Sequence, residues 1–131
     1  MSSEENKLVV SRFIAEVLSG GNVAAVDELV SPRYANPRIG ARDRDAYKGF
    51  LTGLMSALPT REFEVEDLVA DGDSVVFRGN MHVTLASGKK ISARMITFYR
   101  LANGMIVEDE PISTPPLRDL LGGMTPPKPS S

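Results

Sequence analysis

Cysteine is absent from the sequence, and histidine occurs only once. Without cysteine, the chain can form neither disulfides, nor thiolate nucleophiles, nor cysteine metal sites. A single histidine, with no HExxH-type spacing, argues against a zinc site. The chain also lacks an excess of basic residues, since its formal net charge is −2, and this argues against a nucleic-acid partner.

No apolar run approaches the length that a membrane-spanning helix needs. The N-terminus, MSSEENKLVV, is acidic and lacks the basic-then-apolar order of a signal peptide. Of the 131 residues, 42% are hydrophobic and 24% are charged, as in an ordinary soluble domain. We therefore expect one soluble, cytoplasmic domain over residues 1–121 and no membrane contact. The Pro- and Ser-rich segment 122–131 is expected to be a disordered tail.

Apolar residues recur at helical spacing in three segments of the first half. Ser2 and Glu5 can form a capping box ahead of the first segment, which ends at Gly20. Asn22 is a favourable cap for a short second helix that Pro32 closes. The third helix has the clearest pattern, with apolar side chains at Tyr47, Phe50, Leu51, Leu54, Met55 and Leu58 before Pro59.

The second half predicts strands, because apolar and polar residues alternate there between turn signals. A half-exposed strand around Phe63 precedes two long strands over 75–85 and 91–101, and a last strand follows the turn at 102–104. The turn segments ADGDS, ASGKK and ANG make neighbouring strands antiparallel. The predicted fold class is α+β, with three N-terminal helices packed on one face of a curved, mainly antiparallel sheet.

The last strand contains three consecutive acids at 108–110, where an inner strand should bury side chains. Which of them faces inward depends on the preceding hairpin, since opposed residues share a face. A three-residue turn with a bulge would set Ile96 opposite Glu110, with Arg94 as its diagonal neighbour. A two-residue turn would instead turn both glutamates outward.

Three stretches carry a resemblance: VVSRFIAEVLSGGNVAAVDELVSPRYANP, ADGDSVVFRG and FYRLANGMIVE. Over about residues 5–114 the chain resembles the nuclear transport factor 2-like superfamily, and within it the SnoaL-like polyketide cyclases. The resemblance implies a cone in which a bent sheet wraps a long helix and encloses an apolar pocket, often with dimerisation through the sheet's outer face. Members include cyclases, steroid isomerases, epoxide hydrolases, dehydratases and ligand binders, so the fold does not fix the reaction.

The catalytic residues of these relatives are replaced in this chain. SnoaL-like cyclases carry Trp and Asp in the last strand, where this chain has Glu110 and Thr114, and the nearest counterpart of their His is His82. Asn36 stands where steroid isomerases have an Asp before Pro, and Arg94 lacks the Asp that follows two residues later in limonene epoxide hydrolases. The pocket therefore either uses a different set of polar residues or binds without chemistry.

The catalytic candidates are Glu110, Arg94 and His82. The SnoaL-like pattern, whose Trp points into the pocket, favours the register that turns Glu110 inward, and a carboxyl in an apolar pocket can act as a general acid or base. Arg94 would hold a substrate carboxylate or enolate oxygen through its planar donors, or would only neutralise Glu110. His82 can transfer protons near neutral pH, but a two-residue turn at Ser87-Gly88 would place it on the outer face, and a longer turn would bring it inward.

The substrate-binding candidates lie on the loop at the pocket rim and on the pocket wall: Tyr34, Asn36, Tyr47, Phe50, Met55, Met81 and Phe98. We expect an acid–base enzyme of the cyclase, isomerase or dehydratase type that needs neither cofactor nor metal. Its substrate would be a hydrophobic, oxygenated small molecule such as a polyketide intermediate. The alternative is a non-catalytic ligand-binding or dimerisation module of the same fold. A homodimer is expected through an outer sheet face that carries Arg78, Asn80, Thr84 and Tyr99.

Overall fold

The computed structural model describes residues 2–116, so the end of the predicted domain and the predicted tail at 122–131 lie outside the described residues. The helices are α1 (Ser3–Arg12), which continues as a π-helical segment (Phe13–Ser19), then α2 (Val26–Leu29) after a 3-10 turn (Val23–Ala25), and α3 (Arg44–Ala57) after a 3-10 turn (Pro37–Ile39). The strands are β1 (Thr60–Asp71), β2 (Ser74–Thr84), β3 (Lys90–Ala102) and β4 (Met105–Thr114).

Helix α1 begins with the predicted capping box. The Ser2 hydroxyl accepts a hydrogen bond from the Glu5 amide at 3.1 Å, and the Glu5 carboxylate accepts one from the Ser2 amide at 3.1 Å. These bonds satisfy amide groups that the first helical turn leaves without partners. Further along the helix, the buried Asn6 donates from Nδ2 to the Gly72 carbonyl at 2.9 Å. That bond ties α1 to the turn between β1 and β2.

Helix α3 confirms the third predicted helix. It begins after Asp43, whose carboxylate accepts a hydrogen bond from the Ala46 amide at 2.9 Å, and it ends two residues before Pro59. Tyr47 and Leu51 form its buried face. With 14 residues α3 is still short, and no helix within residues 2–116 is long and apolar enough to span a membrane. The cytoplasmic location stays a prediction.

The four strands form an antiparallel sheet in the order β1-β2-β3-β4. Along β2 and β3, side chains alternate between an inner face, which packs against the helices, and an outer face. The inner face buries Val75, Phe77, Met81, Val83, Ala93, Met95, Thr97, Tyr99 and Leu101. The predicted α+β class, with helices on one side of an antiparallel sheet, is confirmed.

The hairpin between β3 and β4 turns through two residues, Asn103 and Gly104. Their φ angles of 52° and 75° lie in the left-handed region, which both central residues of a type I′ hairpin turn adopt. Asn-Gly suits this turn because Gly has no Cβ and Asn tolerates the left-handed region better than most residues. The favoured prediction of a three-residue turn is therefore wrong.

Beyond the turn, β4 contains a β-bulge. Leu101 pairs with Ile106, but the next residue back along β3, Arg100, pairs with Glu108. Val107 is therefore an extra residue on β4, and it shifts the rest of the strand by one position.

The bulge decides which of the three acids faces the helices. After it, Tyr99 pairs with Asp109 and Phe98 pairs with Glu110. Tyr99 lies on the inner face, so Asp109 is turned inward and Glu110 outward. The favoured register is wrong, whereas the alternative, a two-residue turn with both glutamates outward, has the observed turn and the observed direction of the glutamates but lacks the bulge.

Candidate active site

A cavity lies between the inner face of the sheet and helix α3, and it is partly open to solvent. Its volume is about 80 Å³. Most of its wall is apolar, with side chains from α3, such as Phe50 and Leu54, facing Phe63 and Met81 of the sheet. The polar lining residues are Asn36, Tyr47, Thr97, Tyr99 and Asp109. The cavity thus combines an apolar wall with a small set of polar groups, which is the usual composition of a small-molecule site.

Asp109 is the buried acid of this site, with 8% of its surface exposed. The Tyr34 hydroxyl donates to its Oδ1 at 2.5 Å, and the Tyr47 hydroxyl donates to its Oδ2 at 2.8 Å. Asn36 donates from Nδ2 to Oδ1 at 3.3 Å and to the Asp109 backbone carbonyl at 3.0 Å. The carboxylate is therefore fixed from three directions by neutral donors.

The donors themselves are held by local structure. Asn36 caps the 3-10 turn, because its Oδ1 accepts a hydrogen bond from the Arg38 amide at 3.2 Å. Its backbone also exchanges two hydrogen bonds with Ala41, at 2.8 and 3.0 Å. The rings of Tyr34 and Tyr47 stack with centroids 4.1 Å apart and planes 20° apart. These contacts orient all three donors before any ligand binds.

Burial dominates the electrostatics of the site. Desolvation raises the pKa of Asp109 above its ordinary value of 3.8, although the hydrogen bonds from Tyr34, Tyr47 and Asn36 act in the opposite direction. Burial, reinforced by the nearby Asp109 charge, raises the pKa of Tyr34, Tyr47 and Tyr99 above the ordinary value of 10.0. The tyrosines therefore stay protonated at neutral pH. The pKa of Asp109 is shifted toward neutral pH, where a carboxyl is a more effective general acid or base.

The structure brings most of the predicted binding residues to this cavity. Asn36, Tyr47, Phe50 and Met81 line it, and Tyr34 contacts Asp109 directly. Their roles in ligand binding stay predictions. Two other candidates lie elsewhere: Met55 packs against the core without lining the cavity, and Phe98 lies on the outer face, with the Arg100 guanidinium 5.3 Å from its ring centroid.

The predicted contact between Glu110 and Arg94 is wrong. Glu110 is 41% exposed and pairs with Arg38, whose Nη2 lies 3.4 Å from Oε1. Arg94 lies on the outer face opposite Thr114 and pairs with Glu66 at 2.8 Å. The cause is the bulge at Val107, which turns Glu110 away from the cavity.

His82 also lies outside the cavity. Its Nδ1 is 2.8 Å from the Ser92 hydroxyl oxygen, and its Nε2 is 3.6 Å from a Glu64 carboxylate oxygen, both on the outer face. The chain between β2 and β3 is longer than a two-residue turn, since the Leu85 amide bonds to the Lys89 carbonyl. The expectation that a longer turn would bring His82 inward is therefore wrong.

Sequence reasoning missed Asp109, Thr97 and Tyr99 as site residues, and it placed Tyr99 on the outer face, where it does not lie. The Asn-Gly pair at 103–104 did signal a two-residue turn. No residue pattern marked the bulge that follows. Within residues 2–116, no group of three or more His, Asp or Glu side chains is arranged to hold a metal ion.

Comparison with known proteins agrees with this architecture. The SnoaL-like domain family matches residues 10–109. The chain belongs to this family. No curated protein matches the chain, whereas solved structures do.

Three solved structures illustrate the similarity of this SnoaL-like chain to others. A protein of Acidithiobacillus ferrooxidans, provisionally named a polyketide cyclase, is 28% identical with a TM-score of 0.76, covering 86% of this chain and 91% of the other. A SnoaL-like polyketide cyclase of Agrobacterium tumefaciens is 16% identical with a TM-score of 0.75, and the match covers 93% of this chain and 100% of the other. An LEH-like epoxide hydrolase of M. tuberculosis is 14% identical with a TM-score of 0.72, and the match covers 85% of this chain and 84% of the other. The last two share the fold, and their names do not transfer an activity.

Proposed function

We propose that this SnoaL-like protein is a cofactor-independent acid–base enzyme that cyclises, isomerises or dehydrates a hydrophobic, oxygenated small molecule such as a polyketide intermediate. The observation that carries the proposal is the buried Asp109 carboxyl at an otherwise mainly apolar cavity. Burial raises its pKa, and a group titrating nearer to neutral pH is a better general acid or base. The name of the Acidithiobacillus relative, a polyketide cyclase, supports the substrate class.

In the proposed reaction Asp109 takes a proton from a carbon next to a substrate carbonyl. The electron pair of the broken C–H bond moves toward the carbonyl oxygen and forms an enolate, and protonated Asp109 then returns the proton. Tyr34, Tyr47 and Asn36 position the carboxylate through the hydrogen bonds already made to it. The Tyr99 hydroxyl makes no such bond to Asp109 and lines the cavity, so it is the candidate donor to the enolate oxygen.

Replacing Asp109 with Asn tests this proposal, because the shape is kept while the proton-transferring group is removed. Deuterium uptake from D₂O at the α-carbon of cyclohexanone, followed by NMR, measures the first step without knowledge of the natural substrate. We expect D109N to lower the protein-catalysed exchange rate by about 10²–10⁴-fold, the usual contribution of a general base.

Glu110→Gln is the matched control, since it removes a carboxylate one residue away that lies outside the cavity. This variant should exchange deuterium at the wild-type rate. Equal exchange by wild type and D109N, or a loss of exchange in E110Q instead, contradicts the proposal.

A non-catalytic ligand-binding module is the second candidate. One observation favours it: Asp109 already joins Tyr34, Tyr47 and the capped turn at 37–39 to β4, and such a network can be purely structural. Saturable ligand binding to the wild type, with no deuterium exchange above the D109N background, would select this alternative.

We also propose that two chains associate through the outer face of the sheet. Ile96 and Ile112 pair there across β3 and β4 and are 47% and 64% exposed, and Val69 is 63% exposed on β1. Exposed apolar side chains grouped on one sheet face support an interface, because a sheet covered by helices on one face leaves the other for a partner.

A further inference from the structure

The cavity has an acid but no matching cation among its described lining residues. Asp109 is its ionisable acid, and none of the described residues that line it is Lys, Arg or His. The neutral donors at this end of the cavity, Tyr47 and Asn36, are directed at Asp109 rather than at the empty space. A bound anion would therefore meet a like charge and few free donors.

The hydrogen bonds to Asp109 leave room for one more donor. A carboxylate offers about four acceptor positions, two on each oxygen. Among the donors of residues 2–116, Oδ1 accepts from Tyr34 and Asn36, whereas Oδ2 accepts only from Tyr47. One position on Oδ2 therefore has no partner among the described residues, and because Asp109 lines the cavity, a ligand there can supply the hydrogen.

We propose that this site takes uncharged ligands that place a hydrogen at the open position of Asp109 Oδ2, and that it rejects carboxylates. In the proposed reaction this hydrogen is the C–H next to the substrate carbonyl, and in a ligand that does not react it is an N–H or O–H. The inference rests on the proposed function insofar as the cavity is the ligand site. A substrate whose acid group is masked, as an ester, amide or lactone, fits this rule, and the corresponding free acid does not.

Two costs exclude an anion from the site. A carboxylate would lose its hydration shell and could gain only the Tyr99 and Thr97 hydroxyls as donors, and it would be repelled by ionised Asp109 across a medium of low dielectric constant. The enolate of the proposed reaction is not repelled in this way, because it forms only when Asp109 has taken the proton. A cation is attracted to Asp109, but an amidinium or ammonium brings several N–H groups, and Asp109 offers them a single open acceptor position. An uncharged donor meets neither problem.

Four probes of nearly the same shape test this rule: p-toluamide is a neutral donor, 4-methylacetophenone is neutral without an N–H or O–H, p-toluate is an anion and 4-methylbenzamidinium is a cation. Calorimetry or protein-observed NMR gives the dissociation constants for the wild type. We expect p-toluamide to bind tightest and p-toluate to bind at least about tenfold more weakly.

In the variant D109N, the dissociation constants of p-toluamide and p-toluate should differ by less than about threefold, since the repelling charge is gone. The control E110Q should keep the wild-type ratio of these two dissociation constants. The ranking in the wild type is a test by itself, so the inference stays falsifiable even if D109N does not fold.

Several results would overturn the rule: equal binding of p-toluamide and p-toluate, tightest binding of the amidinium, no saturable binding of p-toluamide up to its solubility limit, or, in D109N, an unchanged ratio of the p-toluamide and p-toluate dissociation constants. Its failure is separable from that of the proposed function. If D109N abolishes deuterium exchange while the ranking fails, the enzyme proposal stands alone. If the ranking holds and exchange does not depend on Asp109, only the ligand rule stands.

Discussion

Asp109 combines a side chain withdrawn from water with three donors directed at its oxygens. The first property favours the neutral acid and the second favours the carboxylate. Because desolvation is the larger effect, the pKa of Asp109 is raised despite the donors. The donors nevertheless fix the carboxyl in one orientation, so the site holds a carboxyl that is both well oriented and easier to protonate than one in water.

The raised pKa of Asp109 predicts a pH dependence of stability. Between the ordinary value of 3.8 and the raised value, the folded state binds this proton and the unfolded state has released it. The free energy of unfolding therefore falls as pH rises through this window, by about 1.4 kcal/mol per unit of pKa increase. Below 3.8 both states are protonated and the contribution is constant.

Urea unfolding of wild type and D109N between about pH 4 and pH 8 measures this effect. The stability of the wild type relative to D109N should fall with rising pH, whereas E110Q should not reproduce the D109N curve. A difference between wild type and D109N that is independent of pH, or that grows in favour of the wild type, would contradict the raised pKa.

Individual site residues differ in how far the sequence predicted them. Tyr47 and Phe50 lie on a strongly periodic helix, so their inward direction follows from spacing alone. Tyr34 and Asn36 followed from their place on the loop after the second helix. Asp109 could not be found in this way, because its direction depends on a one-residue shift and a strand's side chains reverse with every residue.

At the scale of the elements, the helices and strands were predictable and the irregularities were not. The capping box, the end of α3 before Pro59 and the Asn-Gly turn all have local chemical causes that the sequence displays. The bulge at Val107 in β4 and a second one in β1, where Val65 pairs with Gly79 but Asp67 pairs with the adjacent Arg78, have no such signature. They arise where long antiparallel strands twist and bend around the helices, and this depends on packing over the whole sheet.

Gly79 is required where β2 passes the bulged strand β1. A Cβ built on Gly79 would lie 1.8 Å from the Glu64 carbonyl oxygen and 2.8 Å from the Phe77 ring. Gly79→Ala should therefore force backbone movement and lower the free energy of unfolding by about 1–3 kcal/mol. Denaturant unfolding measures the change.

Gly49→Ala is the matched control. Gly49 is exposed within α3, and a Cβ there meets nothing within 4 Å. Because Ala is a better helix former, this variant should be more stable than wild type by about 0.5–1 kcal/mol. If both variants changed stability in the same direction, the close contact at Gly79 would not be what makes glycine necessary there.

At the scale of the whole molecule, the α+β class followed from the order of periodic segments, three helical and then four extended. The side on which the helices pack followed from the alternation along β2. Along β3 it did not, since Phe98 was expected inside and Tyr99 outside, and the structure has the reverse. The sequence alone could not distinguish the cavity from the rest of the core, because apolar residues that line a space and those that fill one have the same pattern.

The proposed homodimer gives a prediction for the whole molecule. Ile112 is 64% exposed on the outer face of the sheet, and Leu8 is 66% exposed on α1. If the outer face is the interface, Ile112→Glu should convert the dimer to a monomer, whereas Leu8→Glu should leave it intact. Light scattering at micromolar concentration gives the mass of each variant. A wild type that is monomeric there, or a dimer lost only in L8E, would refute this interface.

The extra residue at Val107 also bears on how such a site can change. Glu108 and Glu110 flank Asp109 along β4, so a one-residue change in the length of the hairpin would exchange the acid in the cavity for a longer one. Neither the net charge nor the composition of the strand would need to alter. Chains with the same three acids but different hairpin lengths can thus present either an aspartate or a glutamate side chain to their ligands. A sequence alignment of the last strand alone would not reveal which one.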